Sequence, residues 1–412
     1  MTTSAEETAP SPQYQPVWSA DPVIAWLLAE GRLIGEKNTF LVALFERVHA
    51  SGFPLDRSAS YLFMLHPLYY GEVIVWAPEF EALQTYQGQH EDREAHASFM
   101  GPITDITARN HDRVRRRLDR DLHLLDSEMY TDRANDGYTD YYAMVLLTTG
   151  RIRNVMSICT RRAGGFTDQE LTEFERLRDL IALVLERLMN QTITRTVLDT
   201  YMGSTTGGRV LDGQIRRGDG DPLHAVIWFC DLRGSVGLSE QLSHAAFLDL
   251  LNDYFEATAA PLIEAGGEVL RFIGDASLGV VPISDEAGRT DACARAVAAA
   301  REARRRALRI SAEREAAGKP GFSCGIGLHL GDVMFGNIGV PMRLEFTVIG
   351  AAANHAARIE GLCRPLGQSV LASGAIAAHD PSAWRTLGRH TLRGASEPVE
   401  VFALERDEDH GS

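Results

Sequence analysis

Residues 225–230, A-V-I-W-F-C, form an unbroken apolar run that stops at an acid, Asp231, followed by the turn L-R-G-S. A run with no polar face has nothing to give to water. It predicts a strand covered on both sides inside a layered domain. An acid closing such a strand needs a reason. Taken alone, Asp231 reads as a turn former. Beside the N–H groups of a glycine turn, it also reads as a carboxylate set near a phosphate site.

Two further stretches bear on that choice. Residues 264–275, E-A-G-G-E-V-L-R-F-I-G-D, read as a glycine turn, a strand and a second acid, Asp275, 44 positions after Asp231. A helix over about 239–260, with Phe247, Leu248, Leu251, Tyr254 and Phe255 on one face, is expected to lay the two strands side by side. Two carboxylates at neighbouring strand ends suit hard cations such as Mg²⁺ or Mn²⁺. Residues 324–360 then predict a hairpin (about 324–335 and 344–349) turned by G-N-I-G, followed by a helix. On that helix Asn354 and Arg358 are one turn apart and share a face. An amide and a guanidinium so placed suit a sugar oxygen and a phosphate; the pair by itself also fits a solvated helix face.

Together, F-C-D-L-R-G-S, F-I-G-D, G-I-G-L-H-L-G-D-V-x-x-G-N-I-G and F-T-V-I-G-x-x-x-N-x-x-A-R-I-E resemble the class III nucleotidyl cyclases, in order and spacing across residues 222–408. The closing L-R-G-A-S-E-P-V-E-V-F (392–402) fits the same pattern. The resemblance implies a ferredoxin-like, βαββαβ-type catalytic domain. It makes Asp231 and Asp275 ligands of two divalent metal ions (Mg²⁺ or Mn²⁺), assisted by the Leu232 carbonyl. Backbone N–H groups of Gly234, Ser235 and Val236 would meet the β- and γ-phosphates. Arg343 and Arg393 fit either a further phosphate contact or a surface or dimer salt bridge. Asn354 would orient the ribose, and Arg358 would stabilise charge at the α-phosphate. In this family the carboxylates come from one subunit and the Asn/Arg pair from the other, so a homodimer with shared active sites is implied.

Two positions in the family read the purine: four residues before the second metal Asp, and seven before the Asn. Here they are Arg271 and Thr347. Adenylate cyclases usually carry Lys with Asp or Thr there, and guanylate cyclases Glu with Cys. Thr347 fits ATP; Arg271 departs from the usual Lys. A cation serves adenine N1, which is an acceptor, whereas guanine's N1–H and N2 amine call for an acceptor that Arg does not supply. The reading is therefore an adenylate cyclase making 3′,5′-cyclic AMP. A guanylate or other nucleotidyl cyclase, or a catalytically weak nucleotide-binding module, stays open. No G-G-[D/E]-E-F stretch marks a diguanylate cyclase.

The remainder sets the surroundings. Residues 37–50 show helical apolar spacing at Phe40, Leu41, Leu44, Phe45 and Val48, and β-prone stretches follow at 60–66, 71–76, 141–147 and 154–159. G-G-F-T-D-Q-E-L then caps a helix expected over about 168–201. Phe174, Leu177, Ile181, Val184 and Leu188 along it fit either a two-stranded coil or packing on the domain itself. This half resembles a GAF-type sensor domain, which implies a small-molecule ligand. The overall expectation is an α+β chain: a disordered tail (1–21), a GAF-like α/β sensor domain (22–190), a helical, Gly-rich linker (191–221) and the catalytic domain (222–408). A net charge of −15 leaves no basic face for nucleic acid. Five scattered cysteines suit structural thiols in a reducing compartment. No apolar stretch is long enough to cross a bilayer and no apolar signal region opens the chain, so a cytoplasmic protein with no membrane partner is expected.

Overall fold

The structure is a computed structural model that describes residues 18–91, 106, 111–120, 127–146, 148, 154–392 and 397–405. The chain divides into two compact units, Met1–Val197 and Leu198–Ser412.

In the first unit, α1 (Asp21–Ala29) and α2 (Lys37–Ala50) lead into β1 (Arg57–Phe63), β2 (Tyr69–Trp76), β3 (Gln84–Gln89) and β4 (Arg113–Arg117). Helix α3 (Glu128–Asn135), strands β5 (Asp140–Leu146) and β6 (Asn154–Thr160) and helix α4 (Asp168–Glu175) follow. The antiparallel sheet runs β3-β2-β1-β6-β5-β4. Its buried central strands are the apolar stretches seen in the sequence. The two strands that reading did not anticipate, Q-T-Y-Q-G-Q and R-V-R-R-R, are the two edges, where polar and charged residues guard unpaired backbone groups. All five apolar residues singled out in α2 are buried.

Residues 1–17 of the expected tail lie outside the described residues. Trp18–Asp21, assigned to the same tail, is packed instead: the Trp18 ring lies 4.6 Å from that of Phe53, and the buried Ala20 donates its N–H to Glu173 Oε2. The helix expected over 168–201 breaks at Arg176–Leu177 into α4 and α5 (Arg178–Met202). Thr167 caps α4 in a reciprocal capping box with Glu170. Phe174, Leu177, Ile181, Val184 and Leu188 are all buried in the first unit's own core, which takes the seam away from a coiled-coil partner.

The second unit carries α6 (Ser204–Leu211), β7 (Gly220–Leu232), α7 (Ser235–Gln241), α8 (His244–Thr258), α9 (Ala260–Glu264), β8 (Glu268–Ile273), β9 (Ala276–Ile283) and α10 (Arg289–Ala316). Beyond these lie β10 (Cys324–Val340), β11 (Arg343–Ile349), α11 (Ala351–Glu360), β12 (Val370–Ser373), α12 (Gly374–Ala377), β13 (Trp384–His390) and β14 (Val399–Leu404). The sheet order is β13-β14-β12-β10-β7-β9-β8, with β11 paired to β10. Its centre, β10-β7-β9-β8, is antiparallel throughout and joined in βαββαβ order, the ferredoxin-like arrangement.

Strand β7 is sandwiched as its composition demands. Val226, Trp228 and Cys230 enter the core under α8 and α10, while Ala225 and Ile227 enter a second core with Phe346, Val348 and Ala356. Three expectations are corrected. Strand β9 lies between β7 and β8, so the first acid's strand neighbours β9 rather than the E-V-L-R-F-I strand. The buried face of α8 is Leu250, Tyr254 and Ala257, and Leu248 is 60% exposed. G-N-I-G is not a turn: β10 continues to Val340 and pairs through Gly336–Gly339 with β11, because Asn337 is buried and donates to the Gln214 carbonyl.

His329 of β10 is a packed histidine, as its strand position suggests. Its Nδ1 lies 2.8 Å from Ser373 Oγ, its ring meets that of His355, and burial pulls its pKa down to about 4. A depressed pKa favours the fold above the ordinary histidine range, and that stability is lost as pH falls toward 4. Urea unfolding at pH 7 and pH 4 should show the wild type losing about 2 kcal/mol more than His329→Gln over that interval.

Candidate active site

Asp231 lies on the Ala225–Ile227 face of β7, where it pairs with Gly325 of β10 and Ala276 of β9. Asp275 immediately precedes Ala276 in the turn between β8 and β9, so strand register alone sets the two acids at one end of the sheet. Asp231 is half-buried and its pKa is raised, first by burial and then by the charge of Asp275; the Leu232 N–H, 3.1 Å away, pulls the other way. The donor chemistry of this carboxylate pair, all oxygen, is of the kind that fits Mg²⁺ or Mn²⁺, although among the described residues no group of three or more His, Cys, Asp or Glu is placed to hold a metal ion.

The turn after Asp231 starts α7. Gly234 has φ +71°, the left-handed conformation that glycine adopts without strain, and it precedes the first helical residue, Ser235. The N–H groups of Ser235 and Val236 therefore belong to the first turn, where no intrahelical acceptor exists. Val236 is 71% exposed.

Asn354 and Arg358 sit on α11, Asn354 exposed and Arg358 half-buried. Among the described residues neither makes a hydrogen bond or an ion pair with Asp231 or Asp275.

Arg271 and Thr347 are brought into one neighbourhood. A register shift between Val269 and Arg271 re-aims the end of β8, and Arg271 Nε lies 2.9 Å from Glu345 Oε1 on β11. Glu345 is two residues from Thr347 and so shares its face of the strand. Thr347 is buried, and among the described residues its hydroxyl has no hydrogen-bond partner. Arg271 and Glu345 also line a cavity of about 770 Å³, together with Arg343 and Phe346. Arg393 lies outside the described residues.

Sequence reasoning missed two carboxylates. Glu345 carried only a faint signal, its two-residue offset from Thr347. Glu360 closes α11, is buried, and has its pKa raised to about 7 by burial and by the charge of Asp231. Only the fold places it near the first acid.

Helix α11 is held close to the sheet by Gly327. A Cβ there would collide with the Ala356 carbonyl and the Glu360 nitrogen, both backbone atoms that cannot turn aside. Gly327→Ala should cost about 1–3 kcal/mol in urea unfolding and displace the helix that carries Asn354 and Arg358. Unchanged stability would show that α11 has room to spare.

The chain's relatives can now be set against this geometry. Residues 223–403 match the family described as adenylate and guanylate cyclase catalytic domain. This part of the chain is a class III nucleotidyl cyclase catalytic domain. An adenylate cyclase of Anabaena cylindrica is 36% identical over 150 residues, covering 35% of this chain and 28% of that protein. Adenylate cyclase 1 of Rhizobium meliloti is 32% identical over 180 residues, covering 43% and 26%. The chain therefore spans little more than a quarter of the length of these curated relatives. The crystal structure of the adenylyl cyclase CyaB from P. aeruginosa aligns with 47% of this chain and 100% of that one, at 24% identity and a TM-score of 0.42. The cyclase domain begins within β7 and closes within β14, so both acids, the α7 turn, the Arg271–Thr347 neighbourhood and α11 all fall inside it.

Proposed function

We propose that the chain is an adenylate cyclase that converts ATP to 3′,5′-cyclic AMP and pyrophosphate at two sites shared across a homodimer. The observation that carries this reading is the division of labour within one cyclase domain. Two mutually repelling carboxylates stand at one end of the sheet, and the amide–guanidinium pair on α11 makes no hydrogen bond or ion pair with them among the described residues. A second copy supplies to each half what it lacks.

In this reading Asp231, Asp275 and the Leu232 carbonyl hold two divalent ions, whose chemistry is to acidify the ribose 3′-hydroxyl and neutralise the triphosphate. The chain's own groups do the rest. The first-turn N–H groups of Ser235 and Val236, with the Gly234 N–H, receive the β- and γ-phosphates. Asn354 from the partner aligns the ribose, and the partner's Arg358 meets the charge that builds on the α-phosphate as the O3′–P bond forms and the bond to pyrophosphate breaks. The Thr347 hydroxyl, buried without a partner, accepts from the adenine N6 amine, and Arg271 donates to N1.

One observation favours a second reading, GTP. Glu345 sits on Arg271 and offers the acceptor that guanine's N1–H and N2 amine require. The test is purified chain with Mn²⁺ or Mg²⁺ and each of ATP, GTP, CTP and UTP, with cyclic product quantified. Cyclic AMP is expected, with GTP at least tenfold poorer in kcat/KM. Faster cyclic GMP formation would install the second reading, and no cyclic product from any nucleotide would remove both. Arg358→Ala should lower kcat by about 10²–10³-fold with KM little changed, as for loss of a donor that acts on transition-state charge.

Residues 22–190 are read as a GAF-like sensor with a small-molecule ligand, 191–221 as the linker and 222–408 as the catalytic domain of a cytoplasmic protein. In support, the first unit forms a six-stranded antiparallel sheet with a core on each face. Among the described residues no helix is long and apolar enough to cross a membrane. Thr206 donates its N–H and hydroxyl to the buried Glu268, three residues before Arg271, which ties the linker's end to the base-reading strand. Deleting residues 1–197 should change kcat; an unchanged rate would separate catalysis from the first unit.

A further inference from the structure

The residue paired with Asp231 on β10 has no side chain. It is Gly325, and residues paired in this way carry their Cβ atoms about 5 Å apart on one face of the sheet. A Cβ at Gly325 would collide with Glu360 Oε1 and stand 3.2 Å from Glu360 Cδ. The glycine therefore leaves a seat opposite the acid, and the carboxyl at the end of α11 occupies it.

The seat is held from behind. Two residues along β10, a Cβ at Gly327 would collide with the Glu360 nitrogen, so the backbone of Glu360 is pressed on the strand as closely as its carboxyl is. Glu360 is buried, yet among the described residues its carboxyl makes no hydrogen bond or ion pair. A buried polar group in that position calls for a reason. The field of Asp231 reaches it: after burial, the charge of Asp231 is what raises the pKa of Glu360 most, and Arg233 pulls the other way.

We propose that Glu360 is a positioning residue for the metal-holding carboxylate: seated over Gly325, it fixes how Asp231 turns toward the ion. The inference rests on the reading of Asp231 as a metal carboxylate. Glu360 is not a further ligand, because among the described residues no three His, Cys, Asp or Glu side chains are placed to hold one ion. It acts through Asp231. Carboxylates that bind metals are oriented by the polar groups around them, and losing such a group costs about 10–100-fold in metal affinity.

Titration of the full chain with Mn²⁺ alone, followed by the electron paramagnetic resonance of the free ion, tests this without turnover. Asp231→Ala sets the reference, since the sites it abolishes are those of the metal acids. Glu360→Ala should weaken these sites about tenfold, and Glu360→Gln, which keeps the length and the planar polar end, should restore them to within about twofold of the wild type. Gly325→Ala puts a methyl group into the seat and should reproduce the loss with Glu360 still present. The double variant Gly325→Ala/Glu360→Ala should be no weaker than the weaker single one, because both changes remove the same interaction. Thermal unfolding verifies that each variant folds. Wild-type affinity in folded Glu360→Ala or Gly325→Ala overturns the inference, as does a Gln variant as weak as the Ala one. If Asp231→Ala abolishes no site, the metal reading itself fails and takes the inference with it.

Discussion

The strand register that sets Asp231 beside Asp275 organises the candidate site. An antiparallel pairing that sets Asp231 opposite Ala276 leaves no freedom in where Asp275 goes: it is the next residue, in the turn. Burial and the neighbouring charge lift the Asp231 pKa, and the buried Glu360 feels the same field from below. So much negative charge at the end of a sheet calls for cations. The segment that follows, with Gly234 in the left-handed conformation and a helix start behind it, supplies donors for the anion those cations would bring.

The sheet supports this by being covered on both faces. Alternate residues of β7 feed two cores, so the strand that ends in Asp231 is fixed from either side and register, not loop geometry, aims the carboxylate. On the second face α11, which carries Asn354 and Arg358, approaches as closely as Gly327 allows.

Much of this was legible in the residues, and the exceptions share a cause. Patterns that depend on local burial came through: the five buried positions of α2, the sandwiched β7, the Thr167 cap and the two strand-end acids. Edge strands β3 and β4 were invisible because an edge carries polar residues for protection rather than apolar ones for packing. The turn assigned to G-N-I-G failed because Asn337 finds its partner, the Gln214 carbonyl, more than a hundred residues earlier in the chain. The heptad spacing of 174–188 was real, but a period cannot say whether the partner is another chain or the domain underneath; the core decided it. Glu345 and Glu360 come from separate segments and acquire meaning only when β7, β8, β11 and α11 are placed together.

The central claim is that each chain holds two halves of a site that must be completed by a second copy. Mixing two inactive variants tests it most directly: Asp275→Ala lacks one metal acid, and Asn354→Ala lacks the ribose contact. Each alone should give almost no cyclic product. Mixed in equal amounts and allowed to exchange subunits, they should recover up to about a quarter of the wild-type rate, since half the dimers are mixed and each mixed dimer keeps one intact site of two. A mixture no more active than its components, in subunits shown to exchange, would contradict the shared site.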